Sequence, residues 1–433
     1  MTAATVGPAT QQSLLGGISS AFRINPFTGT YLSVRAVHGA TIETTDGRSY
    51  IDMFLAHGST VLGHAHPAVV EAVRKSLENG VVIGYETPLG ERVARRLTGA
   101  LPSAEAVRFV ASGSEAVATA MRLARAHTGR DIVIKIDGHF NGGSDYAMYN
   151  SLVAYTDSSN PGGRPSRPIP SSGGIPRAVA ETIVPVPWND LPALAAALEA
   201  YHDRVAALIM VPIDFNNGCL TPAAGYLAAA RDMAHDAGAL LLFDEVLSGF
   251  KTGMGGAQTL YGVTPDVTML SKAMSSGVPL SAVVGRREFM ETLLKPVPAG
   301  AIQGGTFAGN VMGLAAAEAT LDILSQDDFY PTLLPRAERF YTDLQAVFDR
   351  SPVPARVHSI GAMFAIYLGT REPVTTYAGI RRLDPDLRRR FFARVIDNGV
   401  YFHTDFSVSA AHSDEVLADA LQRIEDVTRS PIS

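Results

Sequence analysis

The chain has 433 residues, 46% apolar and 18% charged, enough to bury a large core, which excludes a stapled mini-fold or a largely disordered chain. Thirty-six basic residues against 42 acidic ones leave a net charge of −6 with no basic block, so no nucleic-acid partner is expected. The single cysteine, Cys219, rules out an intrachain disulfide and a Cys-rich metal cage, and no run reaches the roughly twenty apolar residues of a membrane span.

Met1–Gly17 carries no basic segment followed by an apolar core, so a cytoplasmic protein is expected. His64 and His66 would share one face of a strand, but no third ligand stands near them at a metal-like spacing. Pro67 suits the first turn of a helix, so a structural turn is expected there and no metal site.

Short apolar runs then alternate with helical patterns, the signature of a mostly parallel sheet covered by helices. Strands are predicted at 107–111, 131–136, 206–211, 239–243, 267–270 and 281–284, and helices at 115–127, 191–201 and 225–237. Residues 158–177 are rich in Ser, Pro and Gly without periodicity, which predicts a long loop, either a gate over a site or surface slack. Beyond Gly300, helical stretches at 311–324, 336–348 and 385–398 frame a strand at 363–368, suggesting a smaller α+β domain. The expected organisation is an N-terminal segment over 1–64, a large α/β domain over 65–300 and a small α+β domain over 301–433.

The Rossmann, P-loop and nucleophile-elbow patterns are absent. Three other signals remain. Ala111-Ser112-Gly113-Ser114-Glu115 joins a buried strand to an amphipathic helix, so its backbone N–H groups suit an anion, although on this segment alone a helix capped by Ser114 with no ligand is the stronger reading. The apolar run before Asp244-Glu245 ends in two carboxylates at the carboxyl edge of a predicted strand, where a buried charge needs a partner. Lys272 follows another strand, one helix and one strand later, so its amine can reach the same crevice.

Only five lysines exist, and Lys75, Lys135, Lys251 and Lys295 are less well placed than Lys272 for a buried reactive amine. Each signal has a structural explanation alone. Together, an anion cradle, a carboxylate and an amine at one sheet edge are what pyridoxal 5'-phosphate requires: its phosphate on a helix N-terminus, its ring nitrogen opposite a carboxylate, its aldehyde on an amine.

These motifs resemble the class III aminotransferases, and within them glutamate-1-semialdehyde aminomutase and its relatives. The likeness spans nearly the whole chain and includes Leu62-Gly63-His64-Ala65-His66-Pro67, Gly138-His139-Phe140-Asn141-Gly142, Phe243-Asp244-Glu245-Val246, Gly305-Thr306-Phe307-Ala308-Gly309-Asn310 and Val408-Ser409-Ala410-Ala411-His412. The resemblance implies a fold type I pyridoxal-phosphate-dependent transferase and a homodimer with shared active sites. By position, Lys272 would bond the cofactor's aldehyde and Asp244 would face the pyridine nitrogen. Val246 and Phe140 would cover the two ring faces, and Gly113 and Ser114 would cradle the phosphate. Thr306 would reach the phosphate from the neighbouring subunit, and Arg23 would meet a substrate carboxylate.

The chain departs from that family at Val211, where Glu is usual, at Asn141, where His is usual, and at Ser271, where Gly usually precedes the lysine. Its Tyr401–Ser407 segment is shorter than in the aminomutases and lacks an obvious counterpart of their acidic residue. The resemblance implies an aminotransferase acting between two molecules. An aminomutase that moves the amino group within one molecule is the alternative, and a decarboxylase, racemase or non-transaminating cofactor binder a third reading.

Overall fold

The computed structural model describes residues 13–78 and 80–429. Seven strands form its central sheet in the order Ala106–Val110, Ser281–Gly285, Val267–Leu270, Leu240–Glu245, Val205–Met210, Ile132–Ile136 and Ile183–Val186. Only Ser281–Gly285 runs antiparallel to its neighbours; the other pairings are parallel. This is the mostly parallel α/β sheet expected of fold type I, and strands buried on both faces read as unbroken apolar runs for that reason.

Successive side chains of a strand point to opposite faces, and here that alternation sorts the core. Leu240 and Leu242 pack with the helix Gly113–Thr128 on one face. Leu241 and Phe243 pack with Leu191–Ala200 and Tyr226–Asp236 on the other. The same parity carries Asp244 towards the N-terminus of Gly113–Thr128 and turns Glu245 away from it.

The strand Ile183–Val186 was not foreseen, because Pro185 interrupts it; it is tolerated at the edge of the sheet. Beyond the large sheet, Ala355–Ile360, Met363–Leu368 and Phe406–Ser407 make a three-stranded antiparallel sheet. Of these, Ala355–Ile360 is half-buried and polar at alternate positions, so it gave no apolar run in sequence. A four-stranded sheet joins Val34–His38, Thr41–Thr44 and Ser49–Asp52 to Val400–Tyr401 from the other end of the chain.

The loop 158–177 is held by buried polar side chains. Asp137, buried beneath it, accepts hydrogen bonds from Ser166 Oγ at 2.7 Å and Asp157 N–H at 3.2 Å. Asn150 Oδ1 takes Ile169 N–H at 2.6 Å, and Asp190 takes Gly163 N–H at 2.6 Å. Polar residues that carry no periodicity thus hold the loop through side chains, alongside single backbone bonds such as Ser166 N–H to Pro185 O and Ser171 N–H to Met148 O, both 2.8 Å. Among the described residues, no helix is long and apolar enough to cross a membrane.

Candidate active site

Where Val267–Leu270 pairs with Leu240–Glu245, Asp244 sits opposite Met269 and Glu245 opposite Leu270. Lys272 follows two residues later, so the carboxylate and the amine leave the carboxyl edge of the sheet side by side. A cavity of about 210 Å³ opens there, lined among others by Gly113, Ser114, Phe140, Asp244, Val246 and Lys272.

The cradle follows from the helix start. Ser112, rather than the expected Ser114, is the cap: its Oγ accepts Glu115 N–H at 3.3 Å, and Glu115 reaches back to Ala111 N–H at 2.7 Å. Ser112 is better placed because it keeps extended backbone ahead of the helix. Gly113 N–H and Ser114 N–H are left as the first-turn donors without intrahelical partners.

Backbone approaches closely around these donors. A Cβ on Gly113 would lie 2.9 Å from the Val246 side chain. One on Gly142, whose φ is +86°, would lie 2.8 Å from Ser114 Oγ. That hydroxyl accepts Gly143 N–H at 3.0 Å, which ties the Phe140 loop to the cradle.

Asp244 is buried and held on both oxygens: Asn141 Nδ2 donates to Oδ2 at 2.9 Å, and Val246 N–H donates to Oδ1 at 3.1 Å. Burial raises its pKa, while those two donors and the lysines Lys272 and Lys135 pull it back. Glu245, on the opposite face, is enclosed by Ala257 N–H, Gln258 and Ser248 Oγ, so it braces the loop and is not part of the cavity. The two adjacent carboxylates therefore do different work, and strand parity separates them.

Three of the five lysines are buried or half-buried around this edge, two more than the sequence suggested. Burial lowers the pKa of each, to about 7 for Lys135 and for Lys251. Their directions differ. Lys135 Nζ donates to the carbonyl of His139, and Lys251 Nζ to the carbonyl of Gly58. Only Lys272 lines the cavity. Its own φ is +46°, a left-handed conformation that is uncommon for a residue with a side chain and recurs at functional sites.

A second cavity of about 490 Å³ shares Lys272, Phe140 and Asn216 with the first. Its walls are mostly apolar, including Leu152, Phe215, Phe364, Ile366, Ile380 and Leu383. His57 lines it from a turn in which Leu55, Ala56 and His57 all have left-handed backbone, with φ of +50°, +52° and +58°. The His57 ring is held by Asp405 Oδ2 at 2.7 Å.

The acidic residue of the Tyr401–Ser407 segment is Asp405, next to the cavity-lining Thr404 and Phe406. It is buried, and although burial raises its pKa, the His57 hydrogen bond and charge and the charge of Lys272 outweigh that and hold it below the usual carboxylate range. Lys272 in turn is pushed down by burial and supported by Asp405 and Asp244. His57 and Asp405 lie 348 residues apart, so no local pattern could have paired them.

Not every expected residue meets the others. Thr306 is exposed and lines neither cavity, and Arg23 is exposed as well, while its neighbour Phe22 lines the larger cavity and meets Phe140 edge to face at 6.0 Å. His64 Nε2 is 2.7 Å from Asp52 Oδ2, and Pro67 opens a helix, as a structural turn requires. Among the described residues, no group of three metal-ligating side chains is assembled.

A sequence model described as aminotransferase class III matches residues 26–427. The chain belongs to the class III aminotransferase family. Curated relatives named glutamate-1-semialdehyde 2,1-aminomutase include one from Polynucleobacter necessarius, 35% identical over 425 residues and covering 96% of this chain and 95% of that protein. Another, from Syntrophobacter fumaroxidans, is 36% identical over 411 residues, with coverage of 93% and 91%.

Among solved structures, an omega-transaminase from Sphaerobacter thermophilus superposes with a TM-score of 0.87 at 26% identity, over 96% of this chain and 94% of that one. A glutamate-1-semialdehyde aminomutase from Pseudomonas aeruginosa shares the fold, with a TM-score of 0.79 at 24% identity over 93% and 89% of the two chains. This class III enzyme uses pyridoxal phosphate, and its residues fit that group. The smaller cavity offers leftover N–H donors at one end, a buried carboxylate at another and a lysine between the two cavities.

Proposed function

We propose that the enzyme is an aminotransferase that moves an amino group between two separate molecules, an amino acid or amine and a keto acid or aldehyde, in two ping-pong half-reactions. Bound pyridoxal phosphate supplies an aldehyde that takes up the amino group and a ring that accepts the electron pair left at the donor carbon. Lys272 Nζ holds the cofactor's aldehyde before the donor arrives. As a free amine, the same Nζ would carry the donor carbon's proton, as general base and then general acid. Burial favours its neutral form, which a base needs, and Asp405 and Asp244 keep it within reach of reprotonation.

In the same reading Asp244 keeps the ring nitrogen protonated, with Asn141 and Val246 N–H fixing the carboxylate's orientation. Gly113 and Ser114 hold the phosphate, and Phe140 and Val246 close the two ring faces. Thr306 completes the phosphate site of the neighbouring subunit in a homodimer. Support for that assembly comes from Ile302 and Phe307, which flank Thr306 and are 70% and 59% exposed, a cost that a partner's surface would remove.

The observation that carries the intermolecular reading is the larger cavity, contiguous with Lys272 and apolar, while the loop 158–177 lines neither cavity. An isomerase must retain its intermediate, and that loop is pinned elsewhere. The aminomutase reading is favoured by the relatives at 35% and 36% identity. Steady-state kinetics separate the two. Transamination gives parallel double-reciprocal lines and consumes an acceptor in equal amount to the donor; multiple turnovers of one substrate with no acceptor would establish the aminomutase instead.

A further inference from the structure

His57 brings one directed ring nitrogen to a cavity whose walls are mostly apolar, and it shares that cavity with Lys272. Its Nδ1 is taken by Asp405 Oδ2 at 2.7 Å, while its Nε2 makes no hydrogen bond among the described residues. Asp405 is buried behind the cavity wall, whereas 26% of the His57 side chain is exposed. The two nitrogens lie on opposite sides of the imidazole, so the free one is on the open side.

That orientation is built from several directions. Asp405 is itself fixed, with Asn216 Nδ2 donating to Oδ1 at 3.3 Å and Thr404 Oγ1 donating to Oδ2 at 3.2 Å. The Phe54 ring meets the His57 ring edge to face at 4.5 Å, and the His403 ring does so at 5.8 Å. Left-handed backbone suits a histidine better than it suits Leu55 and Ala56, which share it. The turn persists because Asp52 Oδ1 accepts Phe54 N–H at 2.8 Å and Leu55 N–H at 3.1 Å, and because Lys251 Nζ donates to the Gly58 carbonyl. Strain held in place from outside in this way recurs where a side chain must be aimed at a ligand.

The chemistry of Nε2 narrows what that ligand carries. A neutral ring with its Nδ1–H on the carboxylate leaves Nε2 as an acceptor, and an imidazolium makes it a donor. An ammonium group pairs only with the first form and a carbonyl only with the second. A hydroxyl both donates and accepts, so it pairs with either. The walls formed by Leu152, Phe364 and Ile366 suit a carbon skeleton around that one polar group.

We propose that His57 reads a hydroxyl on the substrate, so that the amino donors are amino alcohols with an apolar body. The proposal rests on the transaminase reading and deepens it by naming a substrate class. Bound this way, the hydroxyl takes the Nε2 bond, the walls cover the skeleton and the amine is presented to Lys272. An amine without the hydroxyl would leave Nε2 facing apolar atoms, and that unpaired nitrogen is the source of the discrimination.

The test uses the holoenzyme in single half-reactions, which need no acceptor, with hexylamine and its 2-, 3- and 6-hydroxy derivatives as matched amino donors. At least one hydroxy amine should exceed hexylamine in kcat/KM by about 5- to 30-fold, the size of a hydrogen bond made against one left unmade. In His57→Asn that ratio should fall to about one. Asparagine accepts left-handed backbone and its amide can still donate to Asp405, but nothing then reaches the position of Nε2. His57→Gln, whose longer side chain can return an amide to that position, should recover part of the ratio.

Ligand-observed NMR gives a reading without turnover: the native holoenzyme should bind 2-hexanol more tightly than 2-chlorohexane, and His57→Asn should erase the difference. A native enzyme indifferent to the hydroxyl at all three positions would overturn the proposal. So would equal losses for hexylamine and the hydroxy amines in His57→Asn, which would reduce His57 to a wall residue. If no amine gives a half-reaction but 2-hexanol still binds in a His57-dependent manner, the transaminase reading has failed and the hydroxyl site stands.

Discussion

The two cavities that meet at Lys272 are built on different principles. The smaller one is backbone and strand edge: leftover N–H donors of a helix, an aspartate fixed by parity, and glycines at Gly113 and Gly142 where a Cβ would collide. The larger one is assembled from side chains of many segments, from Phe22 and His57 near the start to Arg388, Thr404 and Phe406 near the end. The first is fixed by backbone and strand register; the second can be altered residue by residue without disturbing the sheet. Chemistry is held by secondary structure here, and selectivity by what surrounds it.

Substitutions on either side of that boundary should behave accordingly. The largest effect belongs to Lys272→Ala, which should cost about ten-thousand-fold or more in turnover with every donor, since it removes the proton carrier itself. Asp244→Asn should lower kcat by about 100- to 1,000-fold, again irrespective of donor, because a fixed charge opposite the ring is lost while Asn141 and the fold remain. Rates with structurally unrelated amines would break the comparison if either variant proved donor-selective.

A smaller effect concerns stability. Lys251 has a folded pKa of about 7 against an ordinary value of 10.5, so between those values the unfolded chain binds more protons than the folded one. Its penalty is present in full below about pH 7 and is relieved as pH rises towards 10. The holoenzyme's unfolding midpoint should therefore climb over that window, and Lys251→Met should remove about half of the climb, Lys135 supplying a similar share. A slope unchanged by the substitution would mean that Lys251 is solvated in solution.

Much of the smaller cavity was legible before any coordinates. Apolar runs ending in a charge mark a buried strand's exit, and a strand, a serine-glycine turn and a helix mark an anion cradle; both are local and periodic. Ser112 displaced Ser114 as the cap because one residue of register is beyond what pattern alone resolves. The burial of Lys135 and Lys251 escaped notice because it depends on which carbonyl each amine finds, His139 and Gly58, and the latter lies 193 residues away.

The pairing of His57 with Asp405 is likewise a contact between distant segments. One local signal did exist: Asn141 stands where the family usually has histidine, and it turns out to donate to Asp244. Departures from a family pattern next to a charged site residue are worth reading as contacts of that residue.

The account stands most directly on which of three amines bonds the cofactor. Reduction of the holoenzyme with borohydride, followed by peptide mapping, fixes the cofactor's mass to the lysine that holds it. That mass should fall on Lys272, the one amine lining both cavities. Recovery on Lys251 or Lys135, or no modified peptide from a protein carrying its full complement of cofactor, would contradict the assignment.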